Sequence, residues 1–193
     1  GENGWEFREE SDHEAIEIID YGCGQAIGTI CYADFLRKNS YAQEVRKITL
    51  IEPSEIALKR AALHASCFFP NAEIITINKG FDDLVVDDLC IDEEIPTLHI
   101  FSNVLDLAGE YFNLRSFAYL LEHCLRGENQ FICIEPYFEY DEKDDCLYKF
   151  FKLLDVDELY YSEVFVKGSF VVGKDWTCHI AMADKYIHCG EVC

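Results

Sequence analysis

Short apolar runs recur along the first two thirds of the chain and predict strands that are buried on both faces of a sheet. The runs are nearly continuous in Ile, Leu, Thr and Phe instead of alternating apolar with polar residues. That pattern is typical of a parallel sheet covered by helices. We predict five such strands, at residues 15–20, 48–52, 73–77, 97–101 and 130–135.

Amphipathic segments between these runs predict helices. The clearest begins at Ser54, which can accept a hydrogen bond from the first helical turn, and continues with Glu55, which suits the positive end of the helix dipole. Its apolar side chains then recur at helical spacing. The four predicted helices cover residues 26–38, 54–66, 111–125 and 144–154.

The alternation of strand and helix predicts an α/β fold with a mostly parallel sheet. Residues 162–167, 170–172 and 177–183 are typical of short late strands, and their closeness predicts an antiparallel pair at one edge. No repeat, low-complexity tract or Pro/Gly/Ser-rich linker interrupts the sequence, so we predict one domain over residues 1–193. The opening Gly-Glu-Asn-Gly is consistent with a tag remnant or with a domain excised from a longer protein.

Composition narrows the class of protein. The 193 residues include 16 Lys and Arg against 37 Asp and Glu, a net charge of −21, and 50% of them are hydrophobic. The apolar content excludes a disordered acidic tail. The charge argues against nucleic acid binding through this domain alone, because affinity for a phosphate backbone comes mainly from Lys and Arg. The longest uncharged stretch is the 13 residues 21–33, too short to cross a bilayer.

The ten cysteines do not predict a disulfide framework. Most lie in apolar runs, where a thiol behaves as a small hydrophobic group, and a chain of this size can build a core without disulfides. We therefore predict reduced thiols and a cytoplasmic protein. Because Cys178, His179, His188, Cys189 and Cys193 lack the paired Cys-x-x-Cys spacing of a zinc site, we predict no metal.

Candidate chemistry lies where the strands end, because ligands of open parallel sheets bind outside the carboxyl ends of the strands. The first strand runs into Gly22 and Gly24, which allow both a sharp turn and the close approach of a ligand. Glu52 ends the second strand, where its carboxylate can accept hydrogen bonds from a ribose diol or face solvent. Together, these three residues favour a nucleotide-type ligand.

These segments resemble the motifs of the class I S-adenosylmethionine-dependent methyltransferases. Residues 18–24 are similar to the family's glycine-rich first motif, and residues 50–54 to its acidic second-strand motif. Residues 81–84 resemble its adenine-contacting segment, residues 99–105 its fourth-strand motif, and residues 125–136 its turn and fifth strand. The resemblance implies a Rossmann-like, three-layer αβα sandwich. Its mostly parallel seven-stranded sheet would have the order 3-2-1-4-5-7-6, with strand 7 antiparallel.

The resemblance also implies S-adenosyl-L-methionine as the cofactor and gives roles to the matched residues. Glu52 would hold the ribose hydroxyls, Phe81 and Asp82 would flank the adenine, and the first turn would line the methionine and ribose end. Ser102 and Asn103 would face the sulfonium. The residues expected to bind the cofactor are Asp20, Gly22, Cys23, Gly24, Glu52, Pro53, Phe81, Asp82, Ser102 and Asn103.

The first turn departs from two known patterns. The family often has a third glycine where this chain has Ala26. The spacing of Gly22, Gly24 and Gly28 is also one residue longer than the dinucleotide fingerprint, which weakens the hypothesis of a dinucleotide oxidoreductase.

We therefore predict a methyltransferase domain that acts on an unidentified acceptor, with no catalytic residue assigned. Glu135 and Tyr137 are placed either for substrate contact or as ordinary loop polarity, and Asp106 either as a base or as a helix cap. The alternative function is that of a non-catalytic module of the same fold, with a regulatory or interaction role in a larger protein.

Overall fold

One mixed sheet lies at the centre of the computed structural model, which describes residues 15–136, 146–154, 156 and 178–187. Its described strands lie in the order β3-β2-β1-β4-β5-β6. All neighbouring strands are parallel except β5 and β6. The strands are β1 (Ala15–Tyr21), β2 (Glu44–Ile51), β3 (Glu73–Ile77), β4 (Thr97–Ser102), β5 (Gly127–Pro136) and β6 (Cys178–Ile187).

This topology confirms the fold class predicted from the sequence. The five parallel strands have the predicted order, and β6 lies antiparallel to β5, where the seventh strand was expected. The strands predicted at residues 162–167 and 170–172 lie outside the described residues. β2 begins at Glu44, earlier than predicted, because its polar first half continues the ladder beside β1.

Helices cover both faces of the sheet and complete three layers. α1 (Ile27–Asn39) and α2 (Glu55–Phe68) pack on one face, and α3 (Leu114–Cys124) and α4 (Cys146–Leu154) pack on the other. Side chains alternate between the two apolar clusters along each strand, as the pleat requires. In β1, Ile16 and Ile18 face α1 and α2, whereas Ile19 and Tyr21 face α3 and α4.

Local hydrogen bonds set the helix boundaries. The Ser54 side chain accepts the N–H of Ala57 at 3.4 Å, which confirms the predicted cap of α2. α3 begins at Leu114 and not at 111, because the Asn113 side chain caps it by accepting the N–H of Ser116 at 3.0 Å.

A buried histidine on β4 links this strand to its two neighbours, β1 and β5. His99 is fully buried on β4, and the Asn129 Oδ1 lies 3.1 Å from its Nε2 while the Tyr21 hydroxyl lies 3.0 Å from its Nδ1. Since the amide oxygen only accepts, Nε2 donates to Asn129 and Nδ1 accepts from Tyr21. Burial lowers the pKa of His99 to about 4, so the ring stays neutral at physiological pH.

Two general features follow from the described residues. No disulfide bond joins the cysteines whose side chains the structure describes. In this part of the chain, no helix combines the length and the apolar character that crossing a membrane requires.

Candidate functional site

The turn after β1 has a left-handed backbone at three positions. Gly22, Gly24 and Ala26 have φ values of +61°, +52° and +62°. A Cβ on Gly22 would lie 2.6 Å from Cγ2 of Val104, whereas a Cβ on Gly24 would meet no atom within 4 Å. Gly22 is therefore needed for close packing, while Gly24 borders open space.

Glu52 connects this turn to the end of β2. Its Oε2 accepts the N–H of Gly24 at 3.1 Å, and its Oε1 accepts the N–H of Ser54 at 2.9 Å. The Cys23 N–H also donates to the Ile51 carbonyl at 3.0 Å, so two bonds hold the turn against β2. The side chain is half-buried, and each carboxylate oxygen keeps a lone pair for a further donor.

Asp20 lies beneath the turn and not on its surface. Its side chain is 1% exposed, and Oδ2 accepts from the Thr29 hydroxyl at 2.7 Å and from the Thr29 N–H at 3.3 Å. Oδ1 is buried and has no hydrogen-bond partner within the described part of the chain. The pKa of Asp20 is raised to about 6, chiefly by burial and to a smaller extent by the charge of Glu52, while the Thr29 bonds oppose this rise.

Ser102 and Asn103 lie at the end of β4, beside the first turn. Asn103 is exposed and has a φ of +55°, a conformation that Asn tolerates better than most residues. Its N–H donates to the Ile134 carbonyl at 2.7 Å, and its side-chain amide donates to the Ser102 hydroxyl at 3.3 Å. Because β1 and β4 are adjacent, these polar groups border the same edge as Gly24 and Glu52.

Glu135 at the end of β5 fixes the loop that follows β4. It is 4% exposed and accepts the backbone N–H groups of Val104 at 3.1 Å, Leu105 at 2.7 Å and Asp106 at 3.3 Å. Burial and the neighbouring Asp106 carboxyl raise the pKa of Glu135 above its usual range, while the backbone bonds from Leu105 and Val104 oppose this rise. Glu135 therefore positions this loop, and Asp106 contributes its N–H to that arrangement instead of a side-chain cap. Tyr137 lies outside the described residues.

Phe81 and Asp82 contact α3 in this structure. Phe81 is 7% exposed, stacked on Phe117 at a ring-centre distance of 4.6 Å and edge-on to Phe112 at 4.7 Å. Asp82 is exposed, and its Oδ1 accepts the N–H of Asn113 at 3.0 Å. Their predicted contact with an adenine stays a prediction.

The predicted site residues thus fall into two groups. One group lies at or near the surface of one sheet edge and consists of Gly22, Gly24, Glu52, Pro53, Ser102 and Asn103. Asp82 is also exposed, but its carboxylate accepts a hydrogen bond from the residue that caps α3. Those inside the molecule are Asp20, Cys23 and Phe81. Burial raises the pKa of the Cys23 thiol well above its usual range, so it stays protonated. Thr29 and Glu135, which hold this region together, carry no sequence motif that would have assigned these roles.

The structure gives no support for a metal site within its described ranges. No group of three or more His, Cys, Asp or Glu side chains there is arranged to hold a metal ion. The Cys and His residues near the end of the chain, at positions 178, 179, 188, 189 and 193, lie outside this comparison. The structure does not describe their side chains.

Comparison with solved structures identifies the architecture. An rRNA methylase from Streptococcus thermophilus superposes with a TM-score of 0.52 and 16% identity, over 91% of this chain and 90% of that one. The [4+2]-cyclase SpnF gives a TM-score of 0.55 and 12% identity, over 91% of this chain and 77% of its own. The DszA carbon methyltransferase gives 0.52 and 14%, over 92% of this chain but only 49% of the methyltransferase.

The chain has the Rossmann-like fold of the class I methyltransferases. No protein-family model and no curated protein matches its sequence. Because identities of this size establish the fold alone, and one of these proteins is described as a cyclase, the reaction has to be argued from the site.

Proposed function

We propose that the chain binds S-adenosyl-L-methionine at the carboxyl edge of β1, β2 and β4 and transfers its methyl group to an acceptor molecule. The observation that carries this proposal is the pair formed by Gly24 and Glu52. An open-faced glycine in a left-handed turn is bonded to a half-buried carboxylate at the end of the neighbouring strand. A nucleoside ligand needs both features, a backbone it can approach closely and an acceptor for its two ribose hydroxyls.

The residues at this edge are compatible with that cofactor. Glu52 would accept the ribose hydroxyls with its remaining lone pairs, Gly24 would border the ligand, and Asn103 would present its amide from the end of β4. When bound, S-adenosylmethionine supplies a methyl group on a positively charged sulfur. The chain's own task is then chiefly alignment of the acceptor, since no base is required unless the acceptor is protonated.

A second candidate function is a non-catalytic module of the same fold. It is favoured by the region over Gly22, where the Val104 side chain lies so close that a Cβ on the glycine would be 2.6 Å from it. The Phe81 ring is buried against α3 and its Cζ would lie 3.6 Å from the same Cβ, so the Val104 and Phe81 side chains fill the space beside Gly22.

Isothermal titration with S-adenosylmethionine and S-adenosylhomocysteine tests the proposal. Wild-type protein should bind both, and Glu52→Ala should weaken binding at least tenfold, because a hydrogen bond to a charged group contributes roughly 1.5–3 kcal/mol. Glu44→Ala is the matched control, since it removes an exposed carboxylate from the other end of β2 and should leave the affinity unchanged.

Circular dichroism melting separates a lost ligand contact from a lost fold, and Glu52→Gln keeps the side-chain volume as a milder variant. Folded wild-type protein that binds neither ligand would overturn the proposal and favour the non-catalytic module. Binding of NAD instead would favour the oxidoreductase hypothesis.

A further inference from the structure

A cavity of about 630 Å³ lies beside the loop after β4, and its lining residues differ from those proposed to bind the cofactor. One wall is formed by four loop residues and the first turn of α3, and the other by α4; the loop residues are Ala108, Gly109, Phe112 and Asn113. Its volume is within the range of about 300–1,000 Å³ that small-molecule sites occupy. Its apolar lining includes buried Phe112 and the half-buried Leu114 and Leu153, which pack on the larger core cluster.

The charged side chains that line this cavity are basic, although the chain as a whole is acidic. The whole sequence has 37 acidic and 16 basic residues, yet the charged side chains that line the cavity are Arg115, Lys149 and Lys152. No described acidic residue lines it. An anionic ligand would therefore meet local positive charge on an otherwise acidic protein.

Two of these cations are available to a ligand. Arg115 and Lys152 are both exposed and form no hydrogen bond or ion pair with the residues that the structure describes. Arg115 also lies in the first turn of α3, where the helix dipole disfavours a cation. An anion bound there would be attracted by the guanidinium and would offset its unfavourable position.

The cavity wall is an ordered turn and not a loose loop. The Gly109 N–H donates to the Phe112 carbonyl at 2.8 Å, and the Glu110 and Tyr111 N–H groups both donate to the Leu107 carbonyl. Upstream, Glu135 holds the start of the same loop by three backbone bonds. These backbone bonds therefore fix the path of the loop that carries Phe112.

We propose that this cavity binds a small molecule that joins an anionic head, a carboxylate or a phosphate, to an apolar body. The head binds Arg115 and Lys152, and the body lies against Phe112, Leu114 and Leu153. That this molecule is the methyl acceptor rests on the function proposed above, because Asn103 at the cofactor edge and Ala108 at the cavity belong to one short loop.

The test uses the full chain and the fluorescent probe 1-anilinonaphthalene-8-sulfonate, displaced by decanoate, decyl phosphate or decan-1-ol. The two acids should displace the probe, and comparing them distinguishes a carboxylate from a phosphate head. Decan-1-ol, with the same apolar body and no charge, should bind at least tenfold more weakly. Raising the salt concentration should weaken the acids but not the alcohol.

Arg115→Gln with Lys152→Gln should reduce the affinity for the better acid at least tenfold, because both side chains are exposed and replaceable without loss of packing. Lys38→Gln with Arg60→Gln removes the same charge from exposed positions on α1 and α2 and should change the affinity less than twofold. Equal displacement by acid and alcohol, or equal affinity in the two double variants, would overturn the proposal. Titration with S-adenosylhomocysteine is run in parallel on the same variants. If S-adenosylhomocysteine fails to bind while decanoate binds as expected, the proposed methyl transfer and the acceptor role are both overturned. The proposed anion site is then still supported.

Discussion

The buried carboxyl of Asp20 predicts how the free energy of unfolding of this protein depends on pH. It is buried, and among the described residues only Thr29 bonds to its carboxylate, through one of the two oxygens. Asp20→Asn keeps an oxygen that accepts from Thr29 and removes the buried ionisable group. The informative quantity is how the difference in unfolding free energy between this variant and wild type changes with pH.

The sign and size follow from the shifted pKa. Burial raises the pKa of Asp20 from 3.8 to about 6, so the folded state keeps its proton longer than the unfolded state does. The stabilisation that the protonated Asp20 carboxyl contributes to the folded state is fully present below pH 3.8, and it is lost as the pH rises through about 6. Linkage gives a loss of about 1.5 kcal/mol at pH 5 and about 3 kcal/mol at pH 8. The variant should therefore gain about 1.5 kcal/mol on wild type between pH 5 and pH 8.

Urea unfolding followed by circular dichroism at half-unit steps from pH 5 to 8 measures this difference. The range starts at pH 5 because many of the 37 Asp and Glu side chains titrate together at lower pH. Asp87→Asn, at an exposed turn, serves as the control and should show no trend. A difference for Asp20→Asn that is constant with pH, or that favours wild type as the pH rises, would refute the reasoning.

Two further predictions concern packing and a buried ion pair. Gly22→Ala should cost roughly 2–5 kcal/mol from left-handed strain and the clash with Val104. Gly24→Ala, with a similar φ and open space, should cost only about 1–2 kcal/mol, and equal losses on urea unfolding would contradict this assignment. Lys47 pairs with Glu17 at 2.6 Å, with side chains 16% and 7% exposed. Lys47→Met should therefore cost about 3–5 kcal/mol by leaving a buried carboxylate unpaired. The added change Glu17→Leu should restore most of that loss, and a double variant no more stable than the single one would argue against the pair.

The sheet could be predicted because its signals are local. An apolar run of strand length and a Ser54 cap act within a few residues, and the observed strands and α2 match them closely. The start of α3 was placed too early because apolar and aromatic residues at 111 and 112 continue the helical pattern. They form instead the turn closed by the bond from Gly109 to Phe112.

The site was harder to predict because its contacts join distant parts of the chain. Glu135 was expected either to contact a substrate or to be an ordinary polar loop residue, but its carboxylate accepts the N–H groups of residues 104–106. Phe81 was expected to flank a ligand, and whether its ring is buried depends on Phe117, which approaches from a helix more than thirty residues later. A motif names residue types, whereas burial is decided by the elements that pack on them.

The charge of the chain limits some ligands more than others. A nucleic acid backbone needs many cations over a long surface, and a net charge of −21 opposes that requirement. A small anion needs only the charges within a Debye length, about 8 Å at physiological salt, so distant carboxylates are largely screened from it. In the cavity beside α4, that local set includes Arg115 and Lys152, which have no described partner. The acidic composition that argues against nucleic acid as a direct partner is therefore compatible with a small anionic ligand at this one place.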